Sequence, residues 1–272
     1  MNKKIIFVVG GLIALLLAVF VFNLLKKGNV SLPAASFDNK TVSKLFDLAK
    51  NAESKDDLLE AKKDYQRILS TAADNKVLSQ AQDKLYNLNI RLIFSTIETD
   101  QATVYEVNPG DSLNALAKKF NTTVALIKRS NNLPADVIRP GQRLRIWTGK
   151  FSCIVDKSQN TLTLKSGEEV VKVYRVSTGK HNCTPVGTFT ITSKLVNPVW
   201  YKQGAVVLPD SPENILGTRW LGFNLPGYGI HGTTEPQTIG QQVTAGCVRM
   251  PNPDVEELYD ILPAGTEVTV ID

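Results

Sequence analysis

Histidine is nearly absent from this chain: His181 and His231 are the only two in 272 residues. Cysteine is scarce as well, and its count is odd: Cys153, Cys183 and Cys247. A full disulfide framework favours an even count, so at least one free thiol is expected. A metal centre is not expected. The one segment with metal-capable types, His181-Asn182-Cys183-Thr184-Pro185, offers too few ligands for a tetrahedral site. No cofactor motif is read. Charge of one sign is lacking too. Lys and Arg number 31 against 26 Asp and Glu, a net +5, and there is no long basic run beyond short pairs such as Lys3–Lys4 and Lys26–Lys27. That excess is too small and too dispersed for a nucleic-acid partner. Glycine and proline are missing between Pro33 and Pro109, which leaves that stretch without the usual helix breakers.

What the chain does have begins with a long apolar run, Ile5 to Leu25, whose one polar side chain is Asn23. At ~1.5 Å rise per residue it spans a hydrocarbon core of ~30 Å. A cleaved leader would have a shorter apolar stretch and a small-residue cleavage site, and Leu32-Pro33-Ala34-Ala35-Ser36 is a poor one. Residues 1–27 are therefore expected to be an uncleaved single-pass anchor, held in the membrane through residues 5–25, with the C-terminal bulk outside the cytoplasm.

The length leaves room for two or three further domains. Residues 37–98 carry helical periodicity. Val42, Leu45, Phe46 and Ala49 repeat at helical spacing, as do Leu58, Ala61, Tyr65, Ile68 and Ala72, then Leu78, Ala81, Leu85, Leu88 and Leu92. Breaks near Ser54–Asp57 and Asp74–Lys76 carry N-cap residue types. Three amphipathic helices in a small bundle are predicted. Leu59 to Tyr65 resembles the second half of a tetratricopeptide-type hairpin, but one unit is not an array. A spacer or oligomerisation element is the simplest reading, and its partner is unknown.

Residues 103–148 read as a separate β-α-α-β unit. Val104-Tyr105-Glu106-Val107 suits a strand, and Asn108-Pro109-Gly110-Asp111 a turn. Asp111 or Ser112 caps a first helix, Asn121-Thr122-Thr123 caps a second, and Pro140-Gly141-Gln142 turns into a last strand. The Y-x-V, PGDSL, N-N-L and I-x-P-G-Q-x-L-x-I stretches, in that order, resemble a LysM domain. The resemblance implies binding of N-acetylglucosamine-containing glycan.

Residues 150–272 change character. Short alternating or β-branched runs such as Thr161–Leu164 and Val170–Val176 predict strands, and only Pro253–Leu262 reads as a helix. A mainly-β domain is expected, either a sandwich or an open barrel with one helix.

Two Gly-flanked segments in it carry chemistry: Gly229-Ile230-His231-Gly232-Thr233 and Thr244-Ala245-Gly246-Cys247-Val248-Arg249. A free thiol ionises near pH ~8.5, and a neighbouring imidazole that takes its proton makes it a nucleophile. Backbone N–H groups around Gly246 and Cys247 suit a tetrahedral oxyanion. The planar fork of Arg249 suits a substrate carboxylate. By residue type alone the plainer readings stay open. A Cys before Val is often a small buried hydrophobe, and a His beside Gly is often a turn residue.

The arrangement of a His followed by [S/T]-x-G-C-x-R, with 16 positions from His231 to Cys247, resembles the L,D-transpeptidase (YkuD-type) catalytic domain. Ser177-Thr178-Gly179, Thr184-Pro185-Val186-Gly187-Thr188-Phe189 and Gly217-Thr218-Arg219-Trp220-Leu221-Gly222 agree with it. The resemblance implies Cys247 as nucleophile, His231 as proton donor and acceptor, and the Gly232 carbonyl as the group orienting His231. It places Thr244, Ala245, Gly246 and Arg249 at oxyanion or substrate contacts. Ala245 departs from the many relatives that carry a second His there. The implied reaction acts on peptidoglycan. The thiolate attacks a stem tetrapeptide, D-Ala leaves, and the thioester passes to an amine of a second stem, a protein lysine or water. Cys153 and Cys183 read as spectators, with a bridge between them left open. A hydrolase and a non-catalytic wall-binding protein remain the alternatives.

Overall fold

The structure is a computed structural model that describes residues 39–202 and 204–272. The expected anchor, residues 1–27, lies outside the described residues. Among the described residues no helix is long and apolar enough to cross a membrane.

Three helices open the described chain: α1 (Asn39–Ser54), α2 (Leu58–Thr71) and α3 (Asn75–Ile93). The side chain of Asp57 accepts from Glu60 N, and that of Asp74 from Lys76 N and Val77 N. Each cap satisfies otherwise orphaned first-turn donors, worth about 1 kcal/mol. The helical stripes meet in one cluster, with Ala49, Ala61, Tyr65, Ile68 and Ala81 fully buried.

The next unit is β1 (Ala102–Glu106), α4 (Leu113–Lys119), α5 (Val124–Ser130) and β2 (Arg143–Trp147), with β1 and β2 antiparallel. Ser112, not Asp111, caps α4; Asp111 instead accepts from Asn108 N and Tyr105 Oη. Thr123 caps α5.

The last part is built on one open eight-stranded sheet, ordered β13-β11-β10-β7-β14-β3-β4-β5. Its strands are β3 (Phe151–Asp156), β4 (Thr161–Ser166), β5 (Glu169–Arg175), β7 (Gly187–Val196), β10 (Arg219–Phe223), β11 (Gly229–His231), β13 (Val248–Arg249) and β14 (Glu267–Ile271). Four short strands form two separate pairs beside it: β6 (Thr178–Gly179) with β12 (Gln242–Thr244), and β8 (Trp200–Lys202) with β9 (Ala205–Val207). Of the two expected forms the sandwich is not the one formed: the core strands make a single sheet rather than two facing ones. Its helix, α6 (Asn252–Ile261), packs on β10 and β11 through Val255, Leu258 and Ile261. Alternation explains the packing: Phe151, Cys153 and Val155 of β3 face inward with Val268 and Val270 of β14.

The β-α-α-β unit has an apolar cluster of its own, Val107, Leu113, Leu116, Ala117, Ile127, Leu144 and Ile146, and it is also tied to its neighbours. Leu126 and Trp147 belong to the same apolar core as the sheet, together with Ile90 and Ile93 of α3. The buried Arg145 guanidinium donates to Ile93 O (3.0 Å) and Leu92 O (3.2 Å), the last carbonyls of α3. Thr123 Oγ1 donates to Asp260 O, and Arg129 pairs with Asp260 at 2.9 Å, joining α5 to α6. On the far side, Asn89 of α3 donates to Val171 O of edge strand β5. Covering that edge removes a row of open ladder groups.

Candidate active site

β11 and β13 run parallel at one margin of the sheet, with Ile230 beside Val248 and His231 beside Arg249. Residues in register on parallel strands share a face, and residues two apart share it again. Ile230 and Val248 turn into the core and are fully buried. The other face carries His231 and Arg249. Continuing the register by one residue sets Cys247 opposite Gly229. Cys247 lies in the bend just before β13, two residues ahead of Arg249.

His231 is buried, and its Nδ1 lies 2.7 Å from Gly232 O. Trp220 of β10 stacks on the ring, with centroids 6.0 Å apart. Burial lowers the His231 pKa to about 4; the Gly232 and Leu216 carbonyls raise it and the Arg249 charge lowers it. The imidazole is neutral at physiological pH.

Cys247 Sγ donates to Gly227 O at 3.4 Å, in the turn between β10 and β11. Burial pushes its thiol pKa up, while a main-chain hydrogen bond from Gly229 and the Arg249 charge pull it down. Burial thus works against both charged forms at this site. Desolvation penalises both charged forms, so the site rests as neutral thiol and neutral imidazole.

Arg249 is buried, and its Nη1 is held by Glu235 Oε2 (2.7 Å) and Thr238 Oγ1 (2.9 Å). Part of the fork expected to meet a substrate carboxylate is thus engaged inside the protein. Its charge favours the thiolate and disfavours the imidazolium. Both effects direct a proton from sulfur onward rather than leaving it on nitrogen.

The turn before Cys247 is stapled by one hydroxyl. Thr244 Oγ1 accepts from Gly246 N (3.1 Å) and donates to Cys247 O (2.7 Å). The Gly246 N–H, expected as an oxyanion donor, is engaged there. Gly246 has φ +125°, and a Cβ on it would meet the Tyr228 ring at 2.7 Å, so both conformation and space demand glycine. Ala245 is exposed beside this turn.

Several supports escaped sequence reading. Asn252 Oδ1, at the start of α6, accepts from Thr233 N (2.9 Å) and Thr218 N (3.3 Å), and it sits where a side chain on Gly232 would collide. Buried Asn214 donates to Pro198 O (2.9 Å) and accepts from Leu216 N (3.0 Å), so it fixes the turn whose Leu216 carbonyl faces the imidazole. Ser177 forms a bridge with Arg249 along the open edge of β13. Thr184 Oγ1 accepts from Gly179 N at 2.8 Å, closing the loop that carries Cys183. All three cysteines are free; Cys153 lies in the core and Cys183 on the surface, so the bridge left open between them is not formed.

A family model described as the L,D-transpeptidase catalytic domain, YkuD, matches residues 150–270, and a LysM domain model matches residues 105–147. The protein named L,D-transpeptidase YkuD from Bacillus subtilis (strain 168) is 36% identical over 174 residues, 61% of this chain and 97% of that one. The protein named L,D-transpeptidase YqjB from the same organism is 41% identical over 125 residues, 44% of this chain and 70% of that one. Among solved structures, an L,D-transpeptidase from Mycobacterium smegmatis is 22% identical with a TM-score of 0.38, over 48% of this chain and 64% of that one. The chain belongs to the YkuD family of L,D-transpeptidases, with a LysM domain ahead of the catalytic domain.

Proposed function

We propose that this protein cross-links peptidoglycan outside the cytoplasm by acyl transfer through Cys247. The observation that supports the reading is the parallel pairing of β11 and β13, which sets the imidazole of His231, held at Nδ1 by Gly232 O, beside Arg249, two residues after Cys247. A carbonyl only accepts, so Gly232 O keeps a proton on Nδ1 and leaves Nε2 as the base. The reaction requires the Cys247 side chain, which donates to Gly227 O, to turn its thiol toward that nitrogen. Sulfur attacks the carbonyl between the third residue of a stem tetrapeptide and its terminal D-Ala as Nε2 takes the thiol proton. The C–N bond breaks, Nε2 returns the proton to the leaving D-Ala amine, and a thioester remains. An acceptor amine then attacks the thioester carbonyl as Nε2 takes its proton, a new C–N bond forms, the C–S bond breaks, and Nε2 returns the proton to sulfur to restore the thiol.

Proton transfer coupled to attack suits a resting pair that is neutral on both sides. Arg249 stabilises the developing charge on sulfur. With Gly246 N–H bound to Thr244, the oxyanion falls to the Cys247 N–H. Thr244 and Gly246 act as positioning residues, Ala245 borders the peptide, and the unpartnered Nε of Arg249 is what remains of the fork for a carboxylate. The LysM domain holds N-acetylglucosamine-containing glycan. Because it shares a core with the sheet, glycan and stem peptide are presented at a fixed offset, which raises the effective concentration of stems near Cys247. The organisation proposed is an anchor at 1–27, a helical segment at 37–98, glycan binding at 103–148 and catalysis at 150–272. Residues 5–25 tie the chain to the cytoplasmic membrane, a reading supported by their uninterrupted apolar sequence.

Mass spectrometry of muropeptides after incubation with tetrapeptide-rich wall tests the reaction. Dimers lacking one D-Ala are expected. Free tripeptides alone would make the protein a hydrolase, and unchanged wall would make it a scaffold.

A further inference from the structure

The loop from Lys180 to Thr184 follows β6 and lies against the turn that carries Cys247. The Cys183 carbonyl oxygen stands 3.6 Å from the place a Cβ on Gly246 would take. A Cβ on Gly179 would fall 2.5 Å from Cys183 Sγ and 2.7 Å from Thr184 N, so the loop is folded tightly onto β6. β6 pairs in parallel with β12, Thr178 beside Gln242 and Gly179 beside Thr244. Thr244 in turn staples Gly246 N and Cys247 O. Loop and catalytic turn are therefore built on the same two-stranded ribbon.

The loop is held in a shape its residue types do not favour. His181 and Asn182 stand in succession in the left-handed region, with φ of 50° and 63°. Two successive non-glycine residues persist there only where the surroundings impose it. Lys157, in the turn between β3 and β4, supplies the constraint and is 2% exposed. Its Nζ donates to Asn182 O (3.2 Å) and Thr184 O (3.0 Å) and pairs with Asp272 Oδ1 at 3.0 Å. Asp272 Oδ1 also accepts from Asn182 Nδ2 at 2.6 Å. Each N–H of the ammonium thus has an acceptor. The Lys157 main chain is fixed as well. Its N–H donates to Ile271 O (3.0 Å) at the end of β14, and its carbonyl accepts from Gln242 Nε2 (3.3 Å) of β12. Burying an ammonium carries a desolvation cost that an apolar side chain of the same length avoids. Packing alone gives no reason for a lysine here, and the two loop carbonyls do.

We propose that Lys157 is a positioning residue for Cys247. It clamps the loop from Lys180 to Thr184 and, through that wall, sets where the catalytic turn holds the thiol. The proposal rests on the acyl-transfer reading. Lys157 touches neither sulfur nor substrate; it acts through Asn182 O and Thr184 O on the side of the turn that Gly246 leaves open. A clamp of this kind changes the rate of attack and leaves substrate binding alone.

Lys157→Met keeps the length of the side chain and removes the donors. Its kcat for D-Ala release from a stem tetrapeptide is expected to fall about tenfold, with KM within about twofold of wild type. Alkylation of Cys247 by iodoacetamide, read by peptide mapping, should slow by a similar factor. Lys157→Arg, which retains donors for both carbonyls, should recover part of both rates. Unchanged rates in Lys157→Met beside a lowered denaturant midpoint would make the residue structural only and overturn the proposal. So would a loss confined to KM. Should Lys157→Met not fold, Asp272→Ala decides. That side chain is 66% exposed, and its loss frees Asn182 Nδ2 and one ammonium donor. Its kcat and its Cys247 alkylation rate should each fall about threefold, and wild-type values for both would overturn the proposal. A wild-type protein that releases no D-Ala would refute the acyl-transfer reading instead. Alkylation needs no substrate and still tests the clamp.

Discussion

Nδ1 of His231 lies 2.7 Å from the carbonyl oxygen of Gly232, its neighbour in the chain. A main-chain carbonyl does here what a buried carboxylate does in other triads: it fixes the tautomer without adding a negative charge. An imidazole without an anionic partner is easily kept neutral, and this one is pushed to about 4 by burial.

The first prediction concerns pH. The acid limb of kcat/KM should fall near pH 4 rather than near the ordinary histidine value, because the free enzyme needs neutral His231. Arg249→Met should move that limb upward, since the Arg249 charge lowers the His231 pKa. Stability should follow the same group. The unfolded chain binds a proton near pH ~6.5 and the folded chain only near 4, so this contribution is whole above pH ~6.5 and lost as pH falls toward 4. The full span is about 3 kcal/mol. Urea titrations between pH 4 and 7 should show it, and His231→Asn should flatten it.

Thr244→Val keeps the shape of the side chain and removes both staples, to Gly246 N and Cys247 O. It should cost about 1–3 kcal/mol. It should also lower kcat tenfold or more with little change in KM, because the thiol is misplaced rather than the substrate unbound. Steady-state kinetics beside a denaturant midpoint checks both.

Gly246→Ala should be more damaging than its size suggests, because the new methyl meets the Tyr228 ring at a φ of +125°. Activity should fall at least a hundredfold. Gly246→Ala/Tyr228→Ala relieves the contact but not the backbone strain, so kinetics of that pair should show only partial recovery.

Arg145→Met tests whether the LysM domain and the helical segment move as one. It removes the donors to Leu92 O and Ile93 O. Hydrogen exchange at the end of α3 and along β2 should accelerate together, while exchange in β14 stays unchanged.

Much of the scaffold was legible in the sequence because its signals are local. Asp57 and Asp74 cap helices whose stripes are set by spacing alone, and the Pro140-Gly141-Gln142 turn fixes the start of β2. The helix at Asn252–Ile261 stood out against a β background. His231 and Cys247 were legible as a motif, not as a geometry. What stayed hidden was long-range pairing. Nothing near Arg145 in the sequence announces that its partners lie 52 and 53 residues away on α3. Asn252 reads as an ordinary first-turn residue, yet it holds two amides beside the imidazole. Arg249 reads as a substrate clamp because its type suits one; only the fold brings Glu235 onto it. The neutral resting pair follows from burial, which motif spacing does not encode.

Peptide mapping of the acylated enzyme tests the central claim most directly. After brief incubation with a disaccharide tetrapeptide, the protein should carry the substrate, less D-Ala, as a thioester on Cys247. The adduct should be absent in Cys247→Ala and form at least a hundredfold more slowly in His231→Asn. An adduct on Cys183, or a wild-type rate of acylation in His231→Asn, would contradict the account.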